Sequence, residues 1–134
     1  MIIKSSATLR VMSDSLSAAE MTEILGVAPG KSFEKGDLVS PKSPKPTYRK
    51  AAMWQWESEI GETKSLNMHL LEICRFLKER EGKLHLLVGC QMDVFCGVFS
   101  DGEQIGFDID HNVIKALTDF PVDLVFDAYG DYSD

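Results

Sequence analysis

The chain has 134 residues, 44% hydrophobic and 26% charged, the size and balance of one folded domain that can bury a core without disulfides or metals. Its net charge of −7 is uneven: residues 1–50 carry eight basic and five acidic side chains, whereas residues 93–134 carry one basic residue, Lys115, and ten acidic ones. Acidic surface repels phosphate and argues against nucleic-acid binding, while it either attracts a basic protein partner or simply aids solubility.

The first stretch, Ser6 to Ser13, carries Leu9, Val11 and Met12 and predicts a strand. Ser17 followed by Glu20 predicts a helix opened by a capping box, with Leu16 and Met21 as a hydrophobic staple. Its buried face is Met21, Ile24 and Leu25, and Gly26 ends it as the left-handed C′ residue. Four of the five prolines (Pro29, Pro41, Pro44, Pro46) then interrupt regular structure. A short strand is expected around Ser32–Glu34 or Leu38–Val39. Residues 41–50 read as a mobile Pro/Lys-rich loop, whose Lys42, Lys45, Arg49 and Lys50 can grip phosphate or be plainly solvated.

From Tyr48 to Ser58 the pattern has period two, with Ala52, Trp54 and Trp56 on one face and Met53, Gln55 and Glu57 on the other. This predicts a half-buried strand. Both tryptophans of the chain lie there, either as a stacking wall for a ligand or as core facing the helix that follows. That helix is capped by Thr63 or Ser65 and buries Leu66, Leu70, Ile73 and Leu77, with Met68, Leu71, Cys74 and Phe76 widening the stripe and Gly82 as its C′ residue. Leu84–Val88 is expected to be extended and Gly89 to break it. Asp101-Gly102 predicts a type I′ hairpin between an arm carrying Met92, Val94, Cys96 and Val98 and an arm carrying Ile105, Phe107 and Ile109. Asp110 is expected to cap a helix from His111 to about Asp119, with Ile109 and Ile114 as staple and Pro121 as stop. A last strand, Val122 to Tyr129, turns Val122, Leu124, Phe126 and Ala128 inward, and residues 130–134 form a frayed tail.

These elements predict an α+β class. The expected architecture is an antiparallel β-sheet with about three helices on one face, a ferredoxin-like βαββαβ core with an added strand–helix–strand, in a single domain over residues 1–134. No run of roughly 18 apolar residues occurs, so no membrane span is expected. "MIIKSSATLR" lacks a signal-peptide core, and a cytoplasmic location with reduced Cys74, Cys90 and Cys96 is expected.

The segments "TLRVMSDSLSAAEMTEILGVAPGKSFEKGD" and "AAMWQWESE", the amphipathic helix and the terminal "LVFDAYG" together resemble the bacterial "domain of unknown function 4279" family. The resemblance rests on the capped helix ending in Leu25-Gly26, on Pro29, on the Lys35-Gly36-Asp37 turn, on the Trp strand ending near Ser58, and on Asp127 and Tyr129. It implies a small standalone bacterial cytoplasmic protein and brings no catalytic residues. By analogy it also implies an immunity-type role beside a toxin.

No chemistry declares itself. G-x-S-x-G and both glycine-rich phosphate motifs are absent. Cys74, Cys90 or Cys96 paired with His69, His85 or His111 lacks a surrounding signature, and the spacing does not suit structural zinc. No catalytic, metal or cofactor residue is therefore assigned, and no cofactor is expected. Asp108, Asp110, Asp123 and Asp127 form the richest carboxylate group, able to hold a divalent cation, do acid/base work or keep a sheet face wet. Asp108, Asp123, Val125, Asp127 and Tyr129 share an outward parity and form the candidate partner-binding face, an aromatic and an aliphatic residue among carboxylates. Trp54, Trp56, Gly26, Ser17 and Glu20 are the structural anchors. The leading expectation is a protein-binding module, in its narrower form an immunity-type inhibitor of a basic toxin. The alternatives are a small-ligand-binding or enzymatic domain and a homo-oligomeric structural module.

Overall fold

The computed structural model describes residues 1–131. The elements run β1 (Ile2–Ser13), α1 (Ala18–Leu25), β2 (Lys31–Phe33), β3 (Ala52–Glu57), α2 (Leu66–Glu79), a 3₁₀ helix (Glu81–Leu86), β4 (Gln91–Ser100), α3 (His111–Leu117) and β5 (Val122–Tyr129). The strands form one sheet in the order β2-β3-β1-β4-β5. β2 and β3 pair antiparallel with Ser32 opposite Trp54. The class is α+β, but the sheet is mixed rather than antiparallel throughout. β4 and β5 are joined through α3, and their C-terminal ends lie together: Phe99 stacks on Tyr129 and the Gly102 carbonyl accepts from the Asp131 amide. A helical crossover is what a parallel neighbour requires, since a tight turn can only reverse the chain.

Two compact units are distinguished. One comprises Arg10–Trp56 and Arg80–Met92. Here α1 forms as its sequence predicts. Ser17 Oγ accepts from the Glu20 amide at 3.0 Å, Glu20 Oε1 accepts from the Ser17 amide at 3.1 Å, and Gly26 sits at φ 72°. Glu34 adds a second cap, its carboxylate accepting from the amides of Ala18 (2.6 Å) and Ala19 (3.2 Å), so a negative charge meets the positive end of the helix dipole. Glu34 is itself held by a turn: the Asp37 amide donates to the Glu34 carbonyl and the Glu34 amide to Asp37 Oδ2, with Gly36 at φ 91°. At the other end of α1, Arg80 Nε donates to the Leu25 carbonyl. The proline-rich segment is exposed, and Leu38 bridges Tyr48 at its base.

Trp54 is fully buried, and its indole N–H donates to Thr22 Oγ1 of α1 at 3.1 Å. The anchor thus reaches α1, where the sequence had pointed it toward the long helix. Residues 84–88 are not extended. The Lys83 and Leu87 amides bond three residues back, to Arg80 and Leu84, which winds the chain into the 3₁₀ helix before Gly89 turns it at φ 74°.

The other unit comprises Met1–Leu9, Glu57–Glu79 and Asp93–Asp134. Ser65 caps α2 through the Met68 amide, and Leu66, Leu70, Ile73 and Leu77 are buried. Cys74 and Phe76 are buried with them, whereas Met68 and Leu71 are exposed, so the stripe is narrower than expected. α2 stops at Glu79, and Gly82 lies in the 3₁₀ helix without a positive φ.

The expected hairpin at Asp101-Gly102 does not form. A type I′ turn needs positive φ at both central residues, and neither has it. Other partners claim the turn instead. The Asp101 amide donates to the Met1 carbonyl, the Gly102 amide to Ser100 Oγ, and Ser100 Oγ to the Gln104 carbonyl. Residues 104–110 therefore run on without strand structure to α3. Asp110 does occupy the N-cap, but its carboxylate makes no capping bond; Asn67 of α2 holds the segment, donating to the Asp108 carbonyl at 3.0 Å and accepting from the Asp110 amide at 2.8 Å. Ile114, expected in a staple, is exposed. Of the expected frayed tail, residues 132–134 lie outside the described residues, and the Asp131 amide is bonded to Gly102.

Candidate functional site: the open face of β4 and β5

Side chains alternate across a strand, so burial of one parity assigns the other to the opposite face. In β4, Val94, Cys96 and Val98 are fully buried. Asp93, Phe95, Gly97 and Phe99 therefore face the other way, where Asp93 and Gly97 are buried, Phe95 is half-buried and Phe99 is exposed. In β5 the odd-numbered residues are Asp123, Val125, Asp127 and Tyr129. The rings of Phe99 and Tyr129 stack with centroids 4.9 Å apart and planes 13° from parallel, which puts the odd residues of both strands on one face.

This face combines an offset aromatic pair with carboxylates. Phe99, Val125 and Tyr129 are 39%, 37% and 48% exposed, and Asp123 is exposed beside them in sequence parity. The Tyr129 hydroxyl donates to Asp127 Oδ2 at 2.5 Å. That hydrogen bond, with the Asp127 charge behind it, raises the phenol above its ordinary pKa, so Tyr129 remains a protonated donor. Exposed ring faces and carboxylates are groups that engage Lys and Arg side chains, by cation–π contact and ion pairing respectively. On the other parity of β5, Phe126 is 43% exposed and its ring lies 5.3 Å from that of Phe107.

The structure thus gathers four of the five residues of the sequence-derived partner face: Asp123, Val125, Asp127 and Tyr129. Asp108 does not belong with them. It was placed by a strand parity that residues 104–109 do not have, and it lies on the loop tied to Asn67. Asp108 instead lines a cleft of about 280 Å³ with Lys4, Glu62, Lys64 and Phe107 at the start of α2. Among the described residues no group of three or more His, Cys, Asp or Glu is arranged to hold a metal ion. Phe99 was missed by sequence reasoning; its signal was the odd parity of β4, opposite Val94, Cys96 and Val98.

The cysteines are poorly poised for chemistry. Cys96 is pushed up to about 12 by burial and then by the Asp93 charge, and burial raises Cys74 and Cys90 as well. Such thiols are protonated at neutral pH and poor nucleophiles. Trp54 has no exposed surface and cannot serve as a ligand wall, while Trp56 is half-buried.

One pairing escaped the sequence entirely: His69 Nδ1 lies 2.9 Å from Ser58 Oγ, with His69 1% and Ser58 7% exposed. Burial lowers the His69 pKa, opposed by the nearby Gly61 carbonyl and the Glu57 charge. Its Nε2 is buried and lacks a partner at hydrogen-bonding geometry. A serine–histidine pair this enclosed reaches no substrate, and it acts as a buried polar contact between α2 and the segment after β3.

Among the described residues no helix is long and apolar enough to cross a membrane. Comparison with curated proteins found no match, and comparison with solved structures found none either. The family signature does match, over residues 3–131 and so over nearly the whole chain: this protein belongs to the family described as Domain of unknown function (DUF4279).

Proposed function

We propose that this member of the DUF4279 family is a protein-binding module, built on a ferredoxin-like core, that recognises a basic partner protein through the open face of β4 and β5. The observation that carries the reading is the exposed Phe99–Tyr129 stack on the same face as Asp123 and Asp127. Aromatic residues supply desolvated contact area at interfaces, and a negative field speeds encounter with a positive surface. The ten acidic residues in 93–134 against Lys115 alone extend that field. The narrower role, an immunity-type inhibitor covering a basic toxin, follows from the same charge complementarity, and a cytoplasmic location belongs with it.

The test is affinity capture from the native host with the neighbouring open reading frames co-expressed, using wild type and a Phe99→Ala/Tyr129→Ala double variant whose fold is checked by circular dichroism. A basic partner retained by wild type and lost by the folded variant supports the reading. Equal retention by both refutes the site, and a neighbouring gene harmless on its own refutes the immunity role.

A second reading, small-ligand binding, draws on the cleft at the start of α2. Its volume of about 280 Å³ sits at the small end of ligand pockets, and Lys4 and Lys64 line it. Lys4 lies 4.0 Å from Glu62 there, which partly offsets its charge and ranks this reading second.

A further inference from the structure

The two edges of the sheet are built differently. β2 is three residues long and carries Lys31, and a short strand with a lysine is a common way of blunting an edge against other chains. β5 closes the other edge with eight residues and contains no Lys, Arg or Pro. Among the described residues no strand lies beyond it. Val125 and Tyr129 are exposed on one face and Phe126 on the other, so neither face of this edge is sealed. A terminal strand leaves alternate N–H and C=O groups without ladder partners, and an added strand satisfies them.

Charge decides what that added strand is. If a second copy of this chain paired antiparallel with Val125 opposite Val125, each Asp123 would face an Asp127 of the other copy. Directly opposed like charges destabilise a strand pair. Sliding by one residue pair removes the direct opposition but keeps four carboxylates crowded on one face. A strand with basic residues at those positions meets no such penalty.

We infer that β5 is a docking edge, to which an extended basic strand of the partner protein is added. The spacing of Asp123, Val125 and Asp127 sets its pattern on the open face: a basic residue, an apolar residue two positions on, and a second basic residue two beyond that. The inference rests on the protein-binding reading above and specifies the mode of that binding.

The probe is a synthetic eight-residue peptide with the core Lys-Thr-Val-Thr-Lys. Controls are an analogue N-methylated on alternate residues, which cannot complete a ladder, and an analogue with Glu for Lys. Isotope-labelled protein is titrated with each while amide hydrogen exchange is followed. The expected result is slowed exchange at alternate amides of Val122–Tyr129, with affinity reduced about tenfold or more by N-methylation. The Asp123→Asn/Asp127→Asn variant should weaken the lysine peptide by a similar factor and the glutamate analogue not at all. Equal binding of the N-methylated peptide, with no protection in β5, would overturn the edge while leaving face-mediated protein binding intact. A peptide that does not bind, beside a natural partner whose capture depends on Phe99 and Tyr129, would overturn the basic strand. A sedimentation dimer whose β5 amides are already protected would assign the edge to a second copy and overturn the proposal.

Discussion

Replacing Thr22 by valine asks whether the Trp54 indole is held by its hydrogen bond or only by its packing. Trp54 has no exposed surface, and its N–H donates to Thr22 Oγ1 at 3.1 Å while that hydroxyl donates to the Ala18 carbonyl at 3.2 Å. Valine keeps the branched shape but offers no acceptor. The indole N–H then loses its Thr22 acceptor at a half-buried threonine position, at a cost of about 1–2 kcal/mol, the lower part of the range for a lost buried hydrogen bond. Trp54→Ala removes the whole ring from a closed site and should cost roughly 3–5 kcal/mol. Trp54→Phe removes the donor with less loss of volume, so adding Thr22→Val to it should cost only about 0.5 kcal/mol. The cycle therefore predicts a coupling of about 1 kcal/mol. Urea unfolding followed by far-UV circular dichroism measures all four proteins without depending on the altered fluorophore. Additive effects, or Thr22→Val within 0.5 kcal/mol of wild type by the ordinary tolerance of surface sites, would refute the claim that α1 anchors the tryptophan.

Burial depresses the His69 pKa, so below about 6.5 the unfolded chain binds the proton more readily than the folded one. Stability should be complete above that pH and fall as pH drops below it; His69→Leu should flatten the slope between about pH 5 and 7, read as urea midpoints, and an unchanged slope would refute the assignment. Glu34→Gln removes the charge facing the Ala18 and Ala19 amides and should cost about 1 kcal/mol, seen as a lower melting temperature that added salt does not mimic in the variant. Iodoacetamide should modify half-buried Cys90 first and leave Cys74 and Cys96 unmodified until the chain unfolds, as peptide mass spectrometry would show; early labelling of Cys96 would contradict its burial.

What the sequence disclosed was what neighbouring residues decide among themselves. Ser17, Glu20 and Gly26 specify both ends of α1 within ten positions, and Leu66, Leu70, Ile73 and Leu77 specify the buried face of α2 by spacing alone. Period two in β5 put Asp123, Val125, Asp127 and Tyr129 on one parity, but it also turned Phe126 and Ala128 inward, and both are exposed. The other failures share one cause, a distant group outcompeting a local preference. Asp101-Gly102 is a good hairpin pair, yet Met1 and Ser100 take its amides. Asp110 is a good capping residue, yet Asn67 of α2 holds its segment. Glu34 gave no local sign of capping a helix that begins sixteen residues earlier. His69 was legible in part: it lies between Leu66 and Ile73 on the buried spacing of α2, although nothing nearby announced Ser58 as its partner.

The double cap on α1 has a consequence for how this part of the chain opens. An isolated helix of eight residues is far below the length at which helices persist in water. α1 draws its missing stability from groups it does not contain: Glu34 at one end, Arg80 at the other and Trp54 beneath. Glu34 is fixed by the turn through Gly36 immediately after β2, and Trp54 belongs to the strand that pairs with β2. The helix and the β2–β3 ladder should therefore exchange their amides as one unit, with a single opening free energy. A loosened turn at Gly36 would be felt as fraying of a helix more than ten residues away.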